Sequence, residues 1–147
     1  MRAATTAVAL DTNVIIAALL AWHEHHGRAL RALNEVLGQR RRVLLPIPVL
    51  IEAYSVMTRL PDRHRLQPAD ALALLEATLL GTCESVSLEG EEGWNLLRSL
   101  RDSSVQGGRV YDAQILACAR KGGATEILTF NGRHFKPLSS ELEIREP

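Results

Sequence analysis

The sequence is short of aromatic residues, cysteine and lysine, and it has no long hydrophobic run. Only six of its 147 residues are aromatic, two each of Trp, Tyr and Phe. They are scattered as Trp22, Tyr54, Trp94, Tyr111, Phe130 and Phe135, so their order shows no base-stacking platform. The two cysteines, Cys83 and Cys118, form no CxxC pair and no secreted-type disulfide framework. Both read as small core residues with reduced thiols, as expected of a cytoplasmic protein. The longest apolar runs, Val14 to Trp22 and Val43 to Ile51, are nine residues each, against the roughly 20 that a membrane-spanning helix needs. The first apolar stretch meets Asp11 almost at once, which argues against a signal peptide. With 10 Gly and 6 Pro the chain is neither collagen-like nor low-complexity. No GxxxxGK[ST] loop is present, so nothing points to nucleoside triphosphate binding.

What remains is ordinary globular composition: 46% hydrophobic, 23% charged, and a formal net charge of zero. Disorder is excluded, because this apolar content can offset the entropy of ordering a chain of this size. The zero charge hides a segregation. Residues 28–65 carry eight Arg against three acids, residues 66–104 two Arg against seven acids, and residues 105–136 five basic groups against two acids. Fifteen of the 17 basic residues are Arg, whose planar fork suits phosphate oxygens.

No repeat or linker interrupts residues 1–147, so one domain is expected. Thr6 to Leu10 reads as a short apolar strand ending at Asp11, and Asn13 to Leu20 as a short helix. A second helix is expected over about Glu24 to Gln39, with Ala29, Leu30, Leu33, Val36 and Leu37 at helical spacing. Val43 to Leu45 reads as a buried strand, and Val49 to Thr58 as a helix. Pro68 opens another helix running to about Leu80, where Gly81 stops it. Cys83 to Leu88 alternates like a strand. Glu89 to Arg101 reads as a helix with Trp94, Leu97 and Leu100 inward. Val110 to Arg120 is a helix closed by Gly122-Gly123, Ala124 to Phe130 a strand, and Leu142 to Ile144 an edge strand. Alternating strands and helices imply a parallel sheet with helices on both faces. Ligands of such sheets bind beyond the carboxyl ends of the strands, at a topological switch point.

That rule selects the candidates for chemistry. Asp11 closes the first strand and can also cap the helix that follows. Glu52 lies inside the apolar stretch Val49 to Met57, where an ionised carboxylate is costly unless paired or metal-bound. Asp112 begins the small-residue helix Asp112 to Ala119. Thr129 and Asn131 end the strand at 126–130 and reach the same crevice. Three carboxylates on separate elements form a hard-oxygen cluster that a cation would neutralise. Oxygen-only ligation favours Mg²⁺ or Mn²⁺ over Zn²⁺. Such an ion can activate water and stabilise charge on a phosphoryl group, which points to metal-dependent hydrolysis of a phosphate ester. The Arg excess would then hold a phosphodiester backbone. His23-Glu24-His25-His26 is not an HExxH motif and reads as a surface loop; His64 and His134 stand alone.

The chain resembles a PIN-domain ribonuclease, specifically the VapC-type toxin of bacterial toxin–antitoxin pairs. The resemblance rests on Leu10-Asp11-Thr12-Asn13-Val14, Pro48-Val49-Leu50-Ile51-Glu52, Tyr111-Asp112-Ala113, and Leu128-Thr129-Phe130-Asn131 followed by His134-Phe135. It implies a three-layer α/β/α PIN-like fold with a short, mainly parallel central sheet. It also implies an Mg²⁺-dependent endoribonuclease that uses metal-activated water and leaves a 5′-phosphate and a 3′-hydroxyl. Asp11, Glu52 and Asp112 would be the metal-binding and catalytic acids, with Thr12, Asn13 and Thr129 in support. Many family members carry a fourth acid where this chain has Asn131; its loss favours one tightly bound ion. Arg109, beside Asp112, is the candidate RNA-phosphate contact. The resemblance further implies a cognate antitoxin protein over the acidic crevice, and a homodimer. Leu72, Leu75 and Leu79 form an apolar helix face that could serve as the dimer interface.

Two other functions compete. A phosphatase with nucleophilic Asp11, of the haloacid dehalogenase type, expects a second Asp two positions on, where this chain has Asn13. A catalytically impaired RNA- or protein-binding module on the same fold would bind RNA without divalent metal.

Overall fold

Ala7, Val8, Ala9 and Leu10 have no exposed surface at all. Four consecutive buried residues suit a strand covered on both faces and flanked on both edges. The computed structural model, which describes residues 6–138 and 141–147, puts β1 (Ala7–Leu10) at the centre of a five-stranded sheet. The other strands are β2 (Arg42–Pro46), β3 (Glu84–Val86), β4 (Ala124–Leu128) and β5 (Glu143–Arg145). Their order is β3-β2-β1-β4-β5 and every pairing is parallel, with Ala9 opposite Leu44 on one side and Ile127 on the other. The chain builds outward from β1 through β2 to β3, then returns to β1's other edge as β4. The switch point lies between β1 and β4, whose carboxyl ends lead into Asp11 and Thr129.

The helices are α1 (Thr12–Leu19), α2 (His26–Gly38), α3 (Ile47–Thr58), α4 (Pro68–Leu79), α5 (Gly90–Asp102), α6 (Arg109–Lys121) and the single turn α7 (Gly132–Phe135). They complete a three-layer α/β/α fold. Each long helix buries one stripe: Ala29, Ala32, Leu33 and Val36 in α2, and Val49, Ala53 and Met57 in α3. Full burial of a side chain such as Leu10, Ile15, Leu128 or Phe135 contributes roughly 1.5–3 kcal/mol. Gly81 and Gly123, which follow α4 and α6, both have φ of +83°, a conformation that costs other residues strain. Among the described residues no helix is long and apolar enough to cross a membrane.

Several expectations need correction. On α5 only Leu100 is buried; Trp94 and Leu97 are 61% and 52% exposed, because this helix lies against α6 at the periphery rather than on the sheet. On α4, Leu75 and Leu79 are buried within the chain's own core and cannot form an interface; Leu72 remains exposed. The strand expected over 83–88 shrinks to Glu84–Val86 at the sheet edge, and α7 was not anticipated. Cys118 is buried as expected, whereas Cys83 is only half-buried.

Candidate active site

Asp11 is held by the fold before it can do any chemistry. Its N–H donates to the Leu128 carbonyl at 3.0 Å, continuing the β1–β4 ladder. Its carboxylate then caps α1: Oδ1 accepts from the Thr12 N–H at 2.7 Å and Oδ2 from the Thr129 hydroxyl at 2.7 Å. Thr129 is fully buried, and its Oγ1 also accepts from the Asn131 N–H at 2.9 Å and from the Asn13 side-chain amide at 3.5 Å. Asn13 Oδ1 accepts from the Phe130 N–H at 3.1 Å. Residues 118 positions apart thus share one network beneath the crevice.

Only 6% of Asp11 is exposed. Burial pushes its carboxyl from 3.8 up to about 6, against the pull of the Thr129 and Thr12 bonds, and the negative charges of Glu52 and Asp112 push it the same way. The Thr12 hydroxyl donates to Glu52 Oε2 at 3.0 Å, tying α1 to α3. Asp112, in the first turn of α6, is also raised, chiefly by burial and further by Glu52, while His134 and Arg109 draw it down. Asp11, Thr12, Asn13, Glu52, Asp112 and Asn131 line one open crevice.

The fold therefore gathers Asp11, Glu52 and Asp112 around one space, with Thr12, Asn13 and Asn131 on its wall and Thr129 beneath. Arg109 is exposed at the start of α6, near enough to Asp112 to act on its carboxyl. Glu52, expected to need a partner within its apolar stretch, finds one in the Thr12 hydroxyl. It is exposed on the crevice side of α3, because Val49, Ala53 and Met57 take the opposite, core-facing stripe. Among the described residues no group of three or more His, Cys, Asp or Glu side chains is placed so that it could hold a metal ion. The donor set instead fits a largely hydrated hard cation, since Mg²⁺ keeps several waters and takes one or two carboxylates directly. The Arg-rich segment is not free to serve the crevice as a whole. Arg41 pairs with Glu126 at 3.0 Å, and Arg42 with Glu84 at 2.7 Å.

Tyr111 and His23 also line the crevice, and His134 on α7 lies close enough to draw the Asp112 carboxyl down. The sequence singles out none of the three as a site residue; Tyr111 is marked only by its place beside Asp112 in the Tyr111-Asp112-Ala113 segment. The His23–His26 segment is a loop at its start, as expected, and it brings His23 to the crevice wall.

The family model for the PIN domain matches residues 8–138. The chain belongs to the PIN-domain family. Within it the chain is of the VapC type: it is 36% identical over 140 residues to Ribonuclease VapC40 of Mycobacterium tuberculosis, covering 93% of this chain and 98% of that protein. It is 32% identical over 126 residues to Ribonuclease VapC27 of the same species, covering 86% and 85%. Among solved structures, that of M. tuberculosis VapC20, described as a Sarcin-Ricin loop cleaving toxin, superposes with a TM-score of 0.70 at 20% identity, covering 92% of this chain and 98% of that one. DNA-bound VapBC from Salmonella typhimurium gives 0.67 at 21% identity, covering 97% and 98%. These structural likenesses carry the fold. In this PIN domain the segments matched by residue type, Asp11-Thr12-Asn13, Glu52, Asp112 and Thr129 to Asn131, meet at the carboxyl ends of β1, β2 and β4.

Proposed function

We propose that this chain is an Mg²⁺- or Mn²⁺-dependent endoribonuclease, the toxin of a toxin–antitoxin pair. The observation that carries the proposal is that Asp11, Glu52 and Asp112 line one crevice, with Asp11 buried and its carboxyl raised to about 6. A carboxylate that resists ionisation because it is buried, with two further acids lining the same crevice, favours a cation. The curated relatives' name, ribonuclease, supplies the substrate class.

Asp11, Glu52 and Asp112 would hold the ion. When bound, it would lower the pKa of water and stabilise charge on the phosphoryl group. The chain's own residues set the geometry. Thr129 and Thr12 fix both oxygens of Asp11, so its carboxylate cannot rotate away. The Thr12 hydroxyl orients Glu52 across the crevice. Asn13 positions Thr129 and the Phe130 backbone together. Arg109 offers its guanidinium to a phosphate oxygen flanking the scissile bond. Asn131 contributes a neutral wall in place of an acid, favouring a single ion.

Two partners follow. An antitoxin would cover the crevice and present a basic side chain to the carboxylates; a solved VapBC pair from nontypeable Haemophilus influenzae superposes with a TM-score of 0.63. A second copy would dock on the exposed apolar groups between α3 and α4, Ile51, Tyr54, Leu72 and Leu80. A sedimentation dilution series should show dimer; monomer throughout would remove that claim.

The deciding experiment compares wild type with Asp11→Asn on total bacterial RNA, each in Mg²⁺ and in EDTA, with the products end-mapped. A discrete cut requiring both Asp11 and metal is expected, leaving a 5′-phosphate and a 3′-hydroxyl. RNA binding without any cut, persisting in EDTA, would identify a binding module instead.

A further inference from the structure

Two of the six scattered aromatic rings, Trp22 and Phe130, are joined in the structure by histidines. Trp22 stacks on His64, with ring centroids 4.0 Å apart and planes 21° apart. Trp22 also lies 6.0 Å from His23, and His23 lies 5.7 Å from His25. His25 in turn stacks on Phe130 at 4.9 Å and 22°, and the Arg28 guanidinium sits 5.5 Å from the Phe130 ring centre. The α1–α2 turn, the α3–α4 connection and the end of β4 thus supply one continuous row of flat groups. The row borders the acidic crevice directly, because His23 lines that crevice together with Asp11, Asp112 and Asn131. At its Phe130 end, Arg133 and Lys136 line the adjoining recess.

We infer that this row is a ledge on which unpaired bases of a single-stranded RNA stack, with the backbone led into the carboxylate crevice. The inference rests on the ribonuclease function proposed above. Trp22 carries it: one face is covered by His64, yet 47% of the residue is exposed. A flat ring stacked on one side and open to solvent elsewhere, beside further rings and cations, can take a base against its exposed surface. Every base has a π face, so such a ledge accepts strands with little regard to sequence, and His and Arg planes serve alongside aromatic rings. The flanking cations meet the phosphates that accompany the bases.

The test uses the full chain carrying Asp11→Asn, which leaves the strand uncut, and Trp94→Phe, which leaves Trp22 as the sole tryptophan. The probe is single-stranded oligoadenylate of about ten nucleotides, a span one binding module covers. Titration should quench Trp22 fluorescence, while a hairpin of similar length should not. Trp22→Ala should weaken binding about tenfold, Trp22→Phe should restore most of it, and His64→Ala should weaken it less. Unchanged affinity in both alanine variants, binding without quenching, or no binding of the strand would each overturn the ledge. The two proposals separate cleanly. Cleavage by wild type with KM unaltered by Trp22→Ala sinks the ledge alone. Trp22-dependent quenching by a wild type that cuts no RNA sinks the nuclease and leaves the ledge standing.

Discussion

Asp11→Asn should make the folded protein more stable at neutral pH in the absence of divalent ions. The folded carboxyl titrates near 6, whereas an unperturbed one titrates at 3.8. Between those values the folded chain retains a proton that the unfolded chain has lost, so stability falls as pH rises through that window. Below about pH 4 the deficit is absent; above about pH 6 it is complete. Roughly two pH units at 1.36 kcal/mol each amount to about 3 kcal/mol. Asparagine removes the buried charge and keeps one oxygen for the Thr12 N–H. Its amide nitrogen, however, faces a Thr129 hydroxyl that donates to Asp11 and whose oxygen already accepts from Asn131 and Asn13, and reversing that bond at the expense of the long 3.5 Å Asn13 contact costs about 1 kcal/mol. The net gain should be about 2 kcal/mol, read as a shift in the urea midpoint at constant slope. The assay is urea unfolding of both proteins in EDTA from pH 4 to 8. The gap should be full at pH 7.5 and closed near pH 4, and adding Mg²⁺ should narrow it at pH 7.5 by stabilising wild type alone. A variant less stable than wild type at pH 7.5 in EDTA, or a gap that ignores pH, would refute the reasoning.

Thr129→Val deletes the buried hydroxyl that draws the Asp11 carboxyl down, so that carboxyl should titrate about one pH unit higher by ¹³C NMR in EDTA, a charged hydrogen bond being worth about 1.5 kcal/mol. Glu126, only 6% exposed within β4, bridges Arg41 and Arg145, each at 3.0 Å. Glu126→Ala leaves Arg41 without an acidic partner among the described residues and Arg145 with Glu35 alone, at 3.3 Å, and should cost about 3 kcal/mol in urea unfolding. Gly122→Ala would set a Cβ 2.4 Å from Cδ1 of the buried Leu44; with no rigid alternative site for that methyl, a loss of about 1–3 kcal/mol is expected in thermal melts.

The strand–helix alternation and the positions of Asp11, Asp112 and Thr129 were legible because each sits where an apolar run breaks. A polar residue at the end of a buried strand has few places to go, and the switch-point rule names the place. Glu52 drew notice because its neighbours are apolar, and the sequence left open whether it faced solvent or a partner; helical geometry divides those neighbours, giving the core Val49, Ala53 and Met57 and leaving Glu52 on the crevice wall. Trp94 and Leu97 failed for the converse reason: helical spacing says which residues share a face, not whether anything covers it. Glu126 passed unremarked because its two arginine partners lie 85 positions before it and 19 after. The ring ledge could not be seen at all in one dimension, since its members come from three connections and meet only after β1 and β4 have paired.

That long-range closure has a consequence for synthesis. A chain still emerging from the ribosome displays Asp11 and Glu52 early, but the hydroxyl that locks Asp11 arrives with Thr129. The Thr129 N–H is itself anchored at 3.0 Å to the carbonyl of Arg145 in β5. At elongation rates of about 5–20 residues per second, several seconds separate the first carboxylate from the last strand. Throughout that interval the acidic groups exist without their shape. A chain that stops short of β4 and β5 therefore carries Asp11 without the hydroxyl that fixes it, and the crevice takes its shape only once both strands are in place.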